Sequence, residues 1–192
     1  SWELLSTYAV TATSFLWGKY AGLAAVLVSI VCFSYGFAGL SGTLLGKGFT
    51  LSALLFFLLF SICIVLLFLG IAMVVGSLSR NRWQALTLGV SIWFFLVLAW
   101  PTLLISLLSF LPYTWIKPAL QVASCLNPAE LVRMFSVVSL GGGAIFGPEY
   151  YKWVTWMESP FGIAGFAALC LMWIGVTMLT AIAVWERRRY RD

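Results

Sequence analysis

FTLSALLFFLLFSICIVLLFLGIAMVVG, residues 49–76, carries no formal charge and exceeds the about 20 apolar residues a helix needs to cross a bilayer. It closes on Ser77-Leu78-Ser79-Arg80-Asn81-Arg82, a polar stop with two cations. Three more runs have the same character: residues 20–40, residues 83–111, which contain Pro101, and residues 161–185. The fold expected is an all-α integral membrane protein with four transmembrane helices. Composition agrees, with 62% hydrophobic residues, 9% charged and a mean hydropathy of +1.04, where a soluble domain averages about 25% charged.

The net charge of +5 is not a nucleic-acid signal, because Arg187, Arg188, Arg189 and Arg191 crowd the end of the chain. That cluster, residues 186–192, reads as a basic tail at the cytoplasmic face. With both ends of the chain inside, Lys19, Arg80, Arg82 and the four tail arginines are cytoplasmic, and Lys47, Lys117, Arg133 and Lys152 lie outside. No signal peptide is visible, and a chain that starts at Ser1 reads as lacking its amino-terminal part.

Before the first span, residues 2–14 mix polar and apolar positions. Leu4, Leu5 and Tyr8 suggest a short amphipathic helix, with Glu3 in its first turn opposing the helix dipole. A turn is expected after it, then the foot of a span marked by Phe15, Leu16 and Gly18-Lys19-Tyr20, a small residue, a snorkelling cation and an interfacial ring. Such an element is either a mechanical input or a plain interfacial anchor. Residues 42–48 (GTLLGKG) imitate a phosphate loop but fail its spacing: three residues separate the glycines, and Gly48 follows the lysine.

Residues 112–160 hold five of the six prolines and three of the six acidic residues. Asn127-Pro128-Ala129-Glu130 predicts a helix start, with Asn127 as N-cap, Pro128 at the first position and Glu130 completing a capping box. Leu131, Met134, Phe135 and Val138 recur on one face, and Glu130 and Arg133 can pair on the other. Gly141-Gly142-Gly143 should end this helix, and Tyr150, Tyr151, Trp153 and Trp156 suit the headgroup level. The segment is expected to form short extracytoplasmic helices lying on, or dipping into, the outer face.

Catalytic chemistry is largely excluded. Without histidine, His-metal sites and His acid–base catalysis are unavailable. No Asp or Glu falls within a span, which argues against a carboxylate relay. Cys32, Cys63 and Cys170 lie in spans as small hydrophobes, and Cys125 alone should reach the outer face. Gly36 with Gly39, Gly162 with Gly165, and Ala164 with Ala168 offer close helix packing. No catalytic or metal-binding residue and no cofactor on this chain is expected.

Glu3-Leu4-Leu5-Ser6-Thr7-Tyr8-Ala9-Val10, followed by Trp17-Gly18-Lys19-Tyr20, resembles the Glu-Leu-Leu-x-x-x-Pro-Val…Leu-Gly-Lys-Tyr stretch of ABC-2 type permeases. Leu126 to Arg133 and the basic end of the last span extend the resemblance, which is nearest to the branch serving nitrous oxide reductase maturation. The chain departs from the pattern at Ala9, where proline is usual, at Thr11-Ala12-Thr13, which lacks the usual basic residue, and at Trp100-Pro101, where an acidic residue is common. The resemblance implies the last four spans of a six-span permease. Residues 2–14 would form its cytoplasmic coupling helix, in which Glu3, Leu4, Leu5, Thr7, Tyr8, Gly18 and Lys19 receive the stroke of a separate ABC ATPase. It further implies ATP on that partner, a second copy of the permease, export of a species used to build a copper-sulfur centre, and outer helices around Asn127, Pro128, Glu130 and Arg133 that gate the exit or dock an extracytoplasmic protein. Two other readings stay open: a secondary transporter, and a non-transporting scaffold.

Overall fold

The computed structural model describes residues 11–48 and 50–189, and among these there is no strand. Four helices are long and apolar enough to cross a membrane. The first, α1, runs Ala12–Leu44. The second, α2, is Leu51–Leu78. The third span, Arg82–Leu108, is composite: α3 (Arg82–Phe94), a π-helical turn (Phe95–Ala99) and α4 (Trp100–Leu108). Then come α5 (Tyr113–Leu126), α6 (Pro128–Ser139), two 3-10 turns (Gly142–Phe146 and Pro148–Tyr150), α7 (Tyr151–Glu158) and the last span α8 (Pro160–Arg189).

Two expected boundaries move. No turn separates residues 12–14 from the first span: extended backbone sits at Thr11, whose Oγ1 accepts from Ser14 N at 3.3 Å, and the helix then runs unbroken through Gly18 and Lys19. The remaining residues of the expected coupling helix, 2–10, lie outside the described residues. The Gly-rich turn after α1 is a helix stop, with Gly46 left-handed (φ 66°), Lys47 N bonded to Gly42 O at 3.0 Å and Gly46 N to Thr43 O at 3.1 Å. This is a Schellman-type closure of the last carbonyls.

The second span is the organising helix, packing most extensively on α8 and then on α1. At the Lys19/Arg80 end, Leu16, Tyr20, Leu69, Met73, Met178, Ala181 and Ile182 form one core. Toward the Pro112/Pro160 end, Phe60 and Leu67 of α2, Leu131, Phe135 and Val138 of α6, Met157 of α7 and Phe166 and Cys170 of α8 form the other. Phe135 stacks on Phe166 at 4.5 Å. α2 and α8 approach closely at Gly70, where any Cβ would overlap the Thr177 hydroxyl. Of the glycines expected to serve close packing, Gly39 does so against Leu54, Gly162 against the Trp156–Met157 backbone and Gly165 against the Trp156 ring, while Gly36 meets nothing. No residue is buried in the most apolar stretch of the first span or of the third, so those faces are left to lipid or another chain.

Candidate functional site: a re-entrant hairpin and an intramembrane ion pair

The third span contains the cause of the site. In its π-turn the ladder runs from residue i+5 to residue i, so Trp100 N bonds to Phe95 O. The next donor in that register would be residue 101, which is proline and has no N–H. Leu96 O is thereby freed in the middle of a membrane helix, where an unpaired carbonyl costs several kcal/mol. Asn127 Nδ2 donates to it at 2.7 Å.

Asn127 is the junction between α5 and α6 and is wholly buried. While Nδ2 holds the third span, its Oδ1 accepts from Ala129 N at 2.9 Å and more weakly from Glu130 N at 3.5 Å, capping α6. Pro128 follows at the first helical position, as the sequence predicts. A second tie lies beside it: Trp173 Nε1 of α8 donates to Cys125 O at 3.0 Å, satisfying a carbonyl at the end of α5.

These bonds fix how deep the hairpin goes. Leu96 lies 12 residues before the end of its span and Trp173 lies 13 after the start of α8, so the tip sits about 18–20 Å below the Pro112/Pro160 end. The hydrocarbon layer is about 30 Å thick, which puts Asn127 near mid-membrane. α5 and α6 pack alongside the spans, and their junction at Asn127 lies in the middle of the bundle. Cys125 is corrected accordingly. It sits half-buried beside the tip rather than at the outer face, because α5 runs down along the span from Tyr113.

Glu130 is the second correction. As a sequence position it lies outside every span, yet in the fold it is 7% exposed and one turn from the hairpin tip. Its Oε1 accepts from Arg133 Nη2 at 2.5 Å, the i,i+3 pair expected. The pair is not on a free polar face: Pro128 to Val132, Met134, Phe135 and Val138 are all buried around the helix. The capping box forms only on its Asn127 side, because the Glu130 carboxylate is taken by Arg133. The Arg133 side chain remains 58% exposed against 8% for Glu130, so the open side of the pair is its guanidinium.

That guanidinium borders a cavity of about 470 Å³ between α2, the π-turn and α6. Phe57, Phe60, Ile64, Leu96 and Val97 form apolar wall, while Ser61, Glu130, Arg133 and Ser136 supply the polar groups. Ser61 Oγ is held by Tyr35 OH of α1 at 2.7 Å. An ion pair in a membrane-depth cavity marks a site by default, because charges there are costly to retain.

Of the other residues singled out, Gly18 is exposed on the opposite side of α1 from buried Leu16 and Tyr20, and Lys19 is exposed at the flank of that face. Glu3, Leu4, Leu5, Thr7 and Tyr8 lie outside the described residues. Of the four rings expected at headgroup level, Tyr151 and Trp156 are exposed near the Pro112/Pro160 end, whereas Trp153 packs against the core and Tyr150 is half-buried, with Lys117 5.6 Å over its ring. No cluster of metal-ligating side chains occurs among the described residues.

Residues 3–189 match the family described as ABC-2 family transporter protein. The chain belongs to that family. Among curated proteins, this ABC-2 chain is similar to the Probable ABC transporter permease protein NosY of Stutzerimonas stutzeri, at 29% identity over 192 residues, covering 96% of this chain and 67% of that protein. It is thus an ABC-2 permease near the NosY branch and a multi-pass protein of the plasma membrane. Leu96, Ser61, Ser136 and Trp173 were not legible as site residues, since only Pro101 hinted that the third span is interrupted.

Proposed function

We propose that the chain is the membrane-spanning subunit of an ATP-driven ABC-2 exporter, working as two copies with a separate ATPase. The family match over residues 3–189 supports this most, since it takes in both the Glu3–Tyr8 segment and the hairpin. In this reading residues 2–10, with Gly18 and Lys19 at the exposed foot of α1, receive the ATPase. The Pro112/Pro160 end faces outward, and the cavity beside Glu130 and Arg133 lies on the solute's way out. The chain itself performs no chemistry and holds no cofactor; ATP is bound by the partner. The sequence resemblance to the nitrous oxide reductase maturation branch implies in addition a role in supplying a species for a copper-sulfur centre, with an extracytoplasmic protein meeting the outer end.

The test is vanadate-sensitive ATP hydrolysis by the full-length protein purified in mild detergent with its neighbouring gene products. A co-purifying ATPase whose activity is lost or uncoupled by Leu4→Asp with Leu5→Asp supports the reading. No associated ATPase, and indifference to the double change, would leave a scaffold or a secondary transporter.

A further inference from the structure

The ion pair is asymmetric in a way that selects a ligand. Glu130 is buried and its carboxylate is already engaged, so it offers little to an incoming group. Arg133 gives Glu130 one hydrogen bond at 2.5 Å, and no other bond involving its side chain is present among the described residues. A guanidinium has five N–H donors in a planar fork. The remaining donors belong to a side chain that is 58% exposed and lies about 9 Å up α6 from the hairpin tip. These donors are open to an acceptor from outside the described fold. Acid groups that present two oxygens side by side match the fork best: carboxylate, phosphate, sulfonate.

The rest of the cavity fixes the other half of the ligand. Its volume of about 470 Å³ suits an organic molecule rather than a bare ion. Phe57, Phe60 and Ile64 offer an apolar wall, and the hydroxyls of Ser61 and Ser136 are its only uncharged polar side chains. We propose that this cavity binds an organic anion, its acid group held by the open edge of Arg133 and its apolar body laid against Phe57, Phe60 and Ile64. The proposal stands on the cavity's own chemistry, whether or not the bound molecule is exported. A membrane lipid headgroup and a solute with an acid group share this chemistry.

The test is direct binding of naphthalene-2-sulfonate to the full chain in phosphatidylcholine nanodiscs, with empty discs as reference. Saturable binding at one site per chain is expected, weakened roughly ten- to a hundredfold by Arg133→Gln, the span of one charge-assisted hydrogen bond. Arg133→Lys should restore part of it, and Glu130→Gln should leave it equal or tighter, since a competitor for the guanidinium is removed. Should Arg133→Gln fail to fold, Ser136→Phe keeps the charge, fills the cavity and should abolish binding. Repeating the titration in phosphatidylglycerol discs separates the sources: loss of probe binding there assigns the site to lipid, and unchanged binding assigns it to a solute. Equal binding by wild type and Arg133→Gln would overturn the proposal, as would preference for the trimethylammonium analogue. A change of oligomeric mass in Arg133→Gln without loss of probe binding would also overturn it, giving the guanidinium to a second copy.

Discussion

Asn127→Ala should be among the most damaging single changes in the hairpin, and its cost should depend on a residue 26 positions away. The alanine removes two things. Loss of the Oδ1 cap on Ala129 N and Glu130 N costs about 1 kcal/mol. Loss of Nδ2 leaves Leu96 O without a partner in the bundle interior, which costs about 1–3 kcal/mol. Together these give about 2–4 kcal/mol. The second part exists only because Pro101 has no N–H to give. In a Pro101→Ala background Leu96 O gains a donor from its own helix, whether that turn stays π or reverts to α. Asn127→Ala should then cost only the cap, about 1 kcal/mol. The coupling between positions 101 and 127 is therefore about 1–3 kcal/mol, well above the additivity error for independent sites. Unfolding of the four proteins in mixed detergent micelles, followed by tryptophan fluorescence, measures the cycle. If Asn127→Ala costs the same in both backgrounds, Leu96 O is not orphaned by Pro101 and the account of the hairpin's depth fails.

Three further outcomes are expected. Gly70→Ala places a methyl group on the Thr177 hydroxyl and should cost about 1–3 kcal/mol, as overpacked cores do, with Thr177→Ala in the same chain recovering most of it in thermal unfolding. Trp173→Phe keeps an aromatic side chain but removes the donor to Cys125 O; it should cost about 1–3 kcal/mol and speed maleimide labelling of Cys125 in a chain whose other three cysteines are alanine. Tyr35→Phe breaks the bond to Ser61 Oγ and should shift the unfolding midpoint by well under the Asn127 effect, since hydrogen bonds between membrane helices average about 0.6 kcal/mol.

The spans were legible because hydropathy over twenty residues is a local property, and expected and observed boundaries agree within a few residues except at the foot of α1. There the Gly18-Lys19 signal suggested an entry point, but nothing packs against Gly18, so no tertiary force interrupts the helix. The start and apolar face of α6 were legible for the same local reason: Asn127, Pro128 and the Leu131–Val138 pattern each act within a few residues. Its depth was not. Glu130, Arg133 and Lys117 lower the hydropathy of residues 113–139, and a surface helix would read the same. What carries the hairpin inward is a hydrogen bond between residues 31 apart and another between residues 48 apart, and neither leaves a periodic trace. Counting carboxylates by span accordingly missed Glu130.

The placement of the cavity follows from one defect in the third span. Proline at 101 costs a rung of the helix ladder, and the freed carbonyl becomes an acceptor at a fixed depth. Asn127 meets that acceptor with one end of its amide and caps α6 with the other, so the same side chain sets both where α6 starts and which way it faces. Glu130 then falls in the first turn and Arg133 in the next, on the side where α2 and the π-turn leave space. A slip of the hairpin by one turn, about 5.4 Å, would break the bonds at Leu96 O and Cys125 O together. Each carbonyl left unpaired there costs about 1–3 kcal/mol, which adds to the apolar contacts that a slip of α6 would disturb. Polar ties and apolar packing therefore hold the register together, and a slip of α6 along the spans must give up or replace the Asn127–Leu96 bond.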